Sequence, residues 1–136
     1  MKFTKIIETC IYSPDLEEMK NFYINYLGLE FVSEEKGRSV FLKAGKSMLL
    51  IFNPLNTLNH VKKLFPIHGA ITPPSIIHFA LEIQKEDYEK WKDILQNNKI
   101  NIEKEIELKS SRSIYFRDPA GNLVEFITNN AWPVDN

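Results

Sequence analysis

Arg112-Ser-Ile-Tyr-Phe116 repeats Arg38-Ser-Val-Phe-Leu42 at an offset of 74 residues, and the match extends beyond both segments. With a two-residue gap at Pro119 and Ala120, Gly45-Lys-Ser-Met-Leu-Leu-Ile51 aligns with Gly121-Asn-Leu-Val-Glu-Phe-Ile127. A repeat of this period sets the architecture before any local assignment. The same order of elements surrounds each copy. Residues 3–12 read as a strand rich in isoleucine, threonine and tyrosine, followed by a helix over 13–28 and strands over 30–33, 39–43 and 48–52. In the second half a strand over 76–83 precedes a helix over 85–98 and strands over 100–106, 113–116 and 123–128.

The first helix is strongly signalled. Ser13 can cap it, Pro14 fits its first position, and Asp15, Glu17 and Glu18 oppose its positive end. Leu16, Met19, Phe22, Tyr23, Tyr26 and Leu27 recur at helical spacing, and Gly28 suits a left-handed end. Tyr88, Trp91, Ile94 and Leu95 mark the apolar face of the second helix. The expected fold class is α+β: tandem βαβββ units forming a curved mixed sheet around a cavity. The whole chain reads as a single domain, with unit one over about 3–53, unit two over about 76–129, and a joining segment of 54–75 between them. That segment holds four of the seven prolines and two of the three histidines, and its length makes it a candidate lid.

Composition narrows the function classes. The chain has 136 residues, 43% of them hydrophobic, and a net charge of -1, so no basic stripe is present to track nucleic acid. No apolar run is long enough for a membrane span. The N-terminus lacks the pattern of a secretory signal. Cys10 is the only cysteine, which excludes a disulfide scaffold or a cysteine zinc site and makes a cytoplasmic setting the expectation.

Strand side chains alternate between faces, so each polar residue can be sorted by parity. Ile77, Phe79, Leu81 and Ile83 form the greasier side and belong under the helix, which sends His78 to the opposite face. Glu8 and His78 each lie seven residues before the start of a helix region, Asp15 and Lys85. Val124 and Phe126 should face the helix, leaving Glu125 on the side of His78. Singly, a strand glutamate reads as solvated and a lone histidine as a core residue. Jointly, Glu8, His78 and Glu125 on inward faces call for a cation, and a divalent metal joins two carboxylates at no net charge.

Glu8-Thr-Cys-Ile-Tyr-Ser-Pro-Asp-Leu-Glu-Glu-Met-Lys-Asn-Phe-Tyr-Ile-Asn-Tyr-Leu-Gly-Leu29 resembles the opening motif of the vicinal oxygen chelate superfamily. Ser111-Arg-Ser-Ile-Tyr-Phe-Arg-Asp-Pro-Ala-Gly-Asn-Leu-Val-Glu125 resembles its closing motif. Glyoxalase I, extradiol dioxygenases, fosfomycin-modifying thiol transferases and metal-free bleomycin-resistance proteins belong to that superfamily. The resemblance implies metal ligands at Glu8, His78 and Glu125. It also implies one divalent ion (Fe2+, Mn2+, Zn2+, Ni2+ or Co2+), a small-molecule substrate with vicinal oxygens, and a homodimer. The three ligands then come from one chain or from two subunits. Most metal-binding relatives carry histidine or glutamine where Glu8 stands. A fourth ligand, found in glyoxalase I-like enzymes, has Leu49 as its counterpart by the internal repeat, and leucine cannot ligate.

The expected function is a metal-dependent lyase, isomerase or dioxygenase. The alternative is a metal-free protein that sequesters a drug or metabolite. Besides Glu125, candidate catalytic residues are Tyr115, which approaches substrate in ring-cleaving relatives or else packs in the core, and His68 as an acid or base on the lid. Asn53 and Arg112 are candidate substrate contacts, although Arg112 and Tyr115 lie on opposite strand faces, so at most one of them looks inward. Phe41, Leu49 and Phe52 fit an apolar cavity wall or simple core packing, and His60, Lys62 and Lys63 read as solvated.

Overall fold

The structure is a computed structural model that describes residues 1–58 and 76–134. The chain divides into two compact units, Met1–Ser75 and Ile76–Asn136. Each contains a four-stranded mixed sheet with a helical segment on one side.

In the first unit the strands are β1 (Glu8–Tyr12), β2 (Glu30–Glu35), β3 (Ser39–Ala44) and β4 (Ser47–Phe52), in the spatial order β1-β4-β3-β2. β1 lies parallel to β4, and the two hairpins are antiparallel. β1 is shorter than the expected 3–12. Its ladder runs out because β4 begins at Ser47, leaving a last bond from Met48 N–H to the carbonyl of Ile7. Helix α1 (Leu16–Lys20) is capped by Asp15, whose carboxylate accepts from the Glu18 N–H at 3.0 Å. Ser13, the expected cap, instead accepts from the Asp15 N–H at 3.1 Å and so shapes the turn before the helix. After Lys20 the helix widens into a π-turn over Asn21–Tyr26. The wide turn lets two neighbours in sequence, Phe22 and Tyr23, both become buried, with ring centroids 5.1 Å apart. Gly28, at φ 76°, ends the segment in the left-handed region as expected. Ile11, Met19, Tyr23, Leu42 and Ile51 are fully buried and form the core of this unit. A short helix α2 (Pro54–Leu58) follows β4.

The second unit repeats the plan. β5 (His78–Ile83), β6 (Ile102–Glu107), β7 (Arg112–Arg117) and β8 (Leu123–Thr128) lie in the order β5-β8-β7-β6, with β5 parallel to β8. Helix α3 (Tyr88–Asn97) is preceded by a 3-10 turn over Lys85–Asp87. β5 starts two residues later than expected for the same reason as β1. β8 begins at Leu123, whose N–H makes the last ladder bond to the carbonyl of Ile77. Lys99, at φ 58°, closes α3 as Gly28 closes the first helix. Even the irregularities recur, for β2 bulges between Phe31 and Ser33 and β6 between Ile102 and Lys104. Leu95, Ile114, Phe116, Val124 and Phe126 fill the core, where the Trp91 ring lies 5.0 Å from that of Phe126. Each such side chain removed from water contributes roughly 1.5–3 kcal/mol. Among the described residues, no helix is long and apolar enough to cross a membrane.

Candidate metal centre

The parallel pairing of β5 with β8 sets His78 opposite Leu123 and Ala80 opposite Glu125. Because Val124 and Phe126 are buried toward α3, strand alternation turns Leu123, Glu125 and Ile127 to the other face, together with His78. There His78 Nε2 lies 3.3 Å from Glu125 Oε1. The imidazole is half-exposed, at 49%, whereas the carboxylate is buried, at 9%, so the pair is open to solvent from the histidine side. His78 Nδ1 lies 3.0 Å from the carbonyl oxygen of Leu123. A carbonyl only accepts, so the Nδ1 position carries the proton and Nε2 is the nitrogen presented to the carboxylate.

The turn between β7 and β8 holds this arrangement. Asp118 Oδ1 accepts from the N–H groups of Ala120 and Asn122, both at 2.9 Å, and Gly121 supplies the positive φ of 86° that the turn requires. Asn122 Nδ2 donates to Asp118 Oδ2 at 2.8 Å, while Asn122 Oδ1 accepts from the N–H of Ile77 at 3.0 Å. The turn therefore fastens the start of β5 one residue before His78. Asp118 and Asn122 are both buried.

Two further groups of the same face meet Glu125. Ser113 Oγ donates to Oε2 at 2.7 Å. Tyr115 pairs with Glu125 across the β7–β8 ladder. Its phenol is raised above its ordinary pKa by burial, then by the charge of Glu125 and the hydrogen bond to it, with Ser113 partly opposing. The Tyr115 ring also stacks loosely against that of His78, inclined by 29° with centroids 6.2 Å apart. Of the residues singled out in the sequence, His78, Glu125 and Tyr115 thus come together. Ser113 was not singled out. The available signal was its parity with Tyr115 and Glu125, which places a small polar side chain on their face of the strand.

The other candidates have their own surroundings within each unit. Arg112 points to the helix-bearing face, where its guanidinium carbon lies 3.7 Å from the Tyr88 ring centroid and Nη2 is 3.3 Å from Glu89. Asn53 belongs to the first unit, where its Oδ1 accepts from the Leu55 N–H at 3.2 Å and so caps the start of α2. Glu8 opens β1 as an exposed residue opposite Met48. His68 and His60 lie outside the described residues.

The ladders correct one detail of the repeat. Glu8 pairs with Met48 as His78 pairs with Leu123, and Phe41 pairs with Leu50 as Tyr115 pairs with Glu125. The counterpart of Glu125 is therefore Leu50, and the gap between the hairpins is one residue rather than two. Leu49, the expected counterpart, is buried on the helix side. Since leucine stands at either position, no fourth ligand arises there.

The spacing of these donors suits a divalent ion. Ions of this kind take imidazole nitrogen and carboxylate oxygen at about 2.0–2.2 Å, which places adjacent ligand atoms roughly 3 Å apart. The 3.3 Å between His78 Nε2 and Glu125 Oε1 suits two such neighbours. The bond from Nδ1 to a backbone carbonyl is the support that metal-ligating histidines ordinarily receive. Among the described residues, no three His, Cys, Asp or Glu side chains gather into one group. His78 and Glu125 therefore fit as two ligands.

Fold and comparison agree on the class of protein. The family model described as Glyoxalase/Bleomycin resistance protein/Dioxygenase superfamily matches residues 5–126, and the chain belongs to that superfamily. Among particular relatives, it is 26% identical over 134 residues to metallothiol transferase FosB of Staphylococcus epidermidis, covering 94% of this chain and 84% of that protein. The crystal structure of lactoylglutathione lyase from Agrobacterium tumefaciens is 33% identical, with a TM-score of 0.89 over 98% of this chain and 100% of that one. The fosfomycin resistance protein FosX from Mesorhizobium loti, 18% identical with a TM-score of 0.67 over 96% of each chain, shares the fold.

Proposed function

We propose that this chain is a divalent-metal-dependent enzyme acting on a small molecule that offers two neighbouring oxygens, with chemistry of the lyase, isomerase, dioxygenase or thiol-transferase kind. The observation that carries the reading is the His78–Glu125 pair. Its imidazole is locked by the Leu123 carbonyl, with Nε2 turned toward a buried carboxylate oxygen. The names of two relatives, a metallothiol transferase and a lactoylglutathione lyase, support metal-assisted chemistry and thiol-linked substrates. His78 and Glu125 hold the ion, and Glu8, from this chain or from a second copy, is the proposed third ligand. The bound ion supplies Lewis-acid polarisation of a chelating substrate oxygen.

The chain's own residues do the rest. Ser113 and Tyr115 keep the Glu125 carboxylate in a fixed attitude. The raised Tyr115 phenol stays neutral near pH 7, so it remains a hydrogen-bond donor beside the reacting centre. The half-exposed side of His78 leaves room for substrate to enter. His68 serves as an acid or base and Asn53 as a substrate contact. Arg112 takes no part, since Tyr88 and Glu89 already engage its guanidinium. The chain works as a homodimer in the cytoplasm.

A second reading, metabolite sequestration without metal, is favoured by one feature: with its imidazole protonated at both nitrogens, the histidine can satisfy the glutamate directly as an ion pair. Metal analysis of protein purified without an affinity tag separates the two. The enzyme reading predicts close to one divalent ion per chain and a melting temperature that chelator lowers and added metal restores in proportion to its free concentration. Metal-free protein indifferent to chelator and to added metal would establish the sequestering reading instead.

A further inference from the structure

The proposed centre depends on one buried carboxylate, and one oxygen of that carboxylate is already occupied. Ser113 Oγ donates to Glu125 Oε2 at 2.7 Å, and the two residues are only 5% and 6% exposed. Ser113 sits on β7 opposite Ile127, two residues from Tyr115, so its hydroxyl reaches Glu125 diagonally across the ladder. A short hydroxyl-to-carboxylate bond belongs to the stronger, charge-assisted kind, and burial excludes water that could take its place. The bond also has a direction. With Oε2 tied to Ser113, the oxygen left facing His78 Nε2 is Oε1.

We propose that Ser113 is a positioning residue that makes Glu125 a one-oxygen donor, pinning Oε2 so that Oε1 alone is offered beside His78 Nε2 to a divalent cation; the inference rests on the metal-dependent reading above. The terminal torsion of a glutamate side chain is broad, so nothing intrinsic to Glu125 selects one oxygen. Without the serine hydroxyl the buried carboxylate keeps only its bond with Tyr115, and it can swing to present both oxygens, as carboxylates do at permissive sites. The ion would then lose a preorganised ligand direction and gain a ligand atom. Cα register alone does not choose between these outcomes, but the serine bond does.

The test uses chain stripped of metal, titrated with Zn2+ against a chromophoric chelator and, separately, with Co2+ while visible absorption is recorded. Ser113→Ala is expected to weaken Zn2+ binding about 10- to 100-fold, the usual cost of losing a partner that orients a ligand. It is also expected to weaken the Co2+ visible bands as the coordination number rises, and Ser113→Thr, which restores the hydroxyl, should recover both signals. Where Ser113→Ala fails to fold, Ser113→Val, which matches the threonine variant in volume but lacks its hydroxyl, should shift both signals in the same direction. Wild-type chain that binds metal, with alanine or valine variants matching it in affinity and spectrum, overturns the serine proposal alone. Wild-type chain that takes up neither ion overturns both this proposal and the metal-dependent reading.

Discussion

Asn122→Ala is expected to destabilise the protein by about 3 kcal/mol. The side chain is fully buried and bridges two elements. It donates to Asp118 Oδ2 at 2.8 Å and accepts from the Ile77 N–H at 3.0 Å. Truncation removes a bond to a charged group, worth about 1.5–3 kcal/mol, and strands a part-buried N–H, at a cost of about 1–3 kcal/mol. The two losses share one network, so the lower part of their joint range applies. For a chain of this size that corresponds to a fall of roughly 10 °C in melting temperature, and in urea to a midpoint lower by about 1–2 M. Asn129→Ala is the matched control. Its Oδ1 accepts from the Lys85 N–H at 3.1 Å in an exposed setting, where water replaces the lost partner, so the expected cost is about 0.5–1 kcal/mol. Urea unfolding of both variants decides the matter. An Asn122→Ala loss below about 0.5 kcal/mol, or one no larger than that of Asn129→Ala, would refute the claim that this turn fastens β5 and hence His78.

Four further substitutions probe other parts of the molecule. Gly28→Ala should cost about 1–2 kcal/mol from its φ of 76° alone, since nothing lies within 4 Å of an added Cβ; Lys99→Gly, relieving φ 58° at the matching helix end, should stabilise by up to about 1 kcal/mol, both read from thermal unfolding. The Glu105 carboxyl is held below its ordinary pKa by its hydrogen bond from Tyr88 and then by Lys92. A depressed carboxylate contributes stability above its unfolded pKa and loses it as pH falls through the folded value. Glu105→Gln should therefore lower the melting temperature at pH 7, and the gap should close in acid. Arg112→Lys keeps the charge but loses the planar stack on Tyr88, at an expected cost of about 1 kcal/mol in urea unfolding.

The architecture was largely legible because it rests on periodicity. Parity alone separated Val124 and Phe126 from Glu125, and the strand over 123–128 has the expected bounds. Strand ends were harder, since the extents of β1 and β5 depend on where their partners begin, at Ser47 and Leu123. The π-turn over Asn21–Tyr26 was hidden for a similar reason: Phe22 and Tyr23 both pack inward, and helical spacing of apolar residues does not reveal an extra residue in a turn. The one-residue error that put Leu49 in place of Leu50 arose from matching Gly45 to Gly121, when hairpin geometry rather than glycine position sets the register.

The centre was legible in its ionisable members and opaque in their support. His78 and Glu125 stand out by charge on inward positions, whereas Ser113 is small, and its repeat partner Ser39 stands beside a strand with Leu50 in place of the acid. Repetition marks both serines as architecture, and only the 2.7 Å bond to Oε2 distinguishes one of them. The left-handed Lys99 was equally hidden, because lysine rarely adopts that conformation and tertiary packing overrode its preference.

A crystal of the chain grown with Zn2+ and measured across the zinc absorption edge tests the central claim most directly. The account predicts one anomalous peak within about 2.0–2.2 Å of both His78 Nε2 and Glu125 Oε1, with Oε2 still held by Ser113. A map without density there at saturating Zn2+, and with the imidazole still paired directly to the carboxylate, would contradict it.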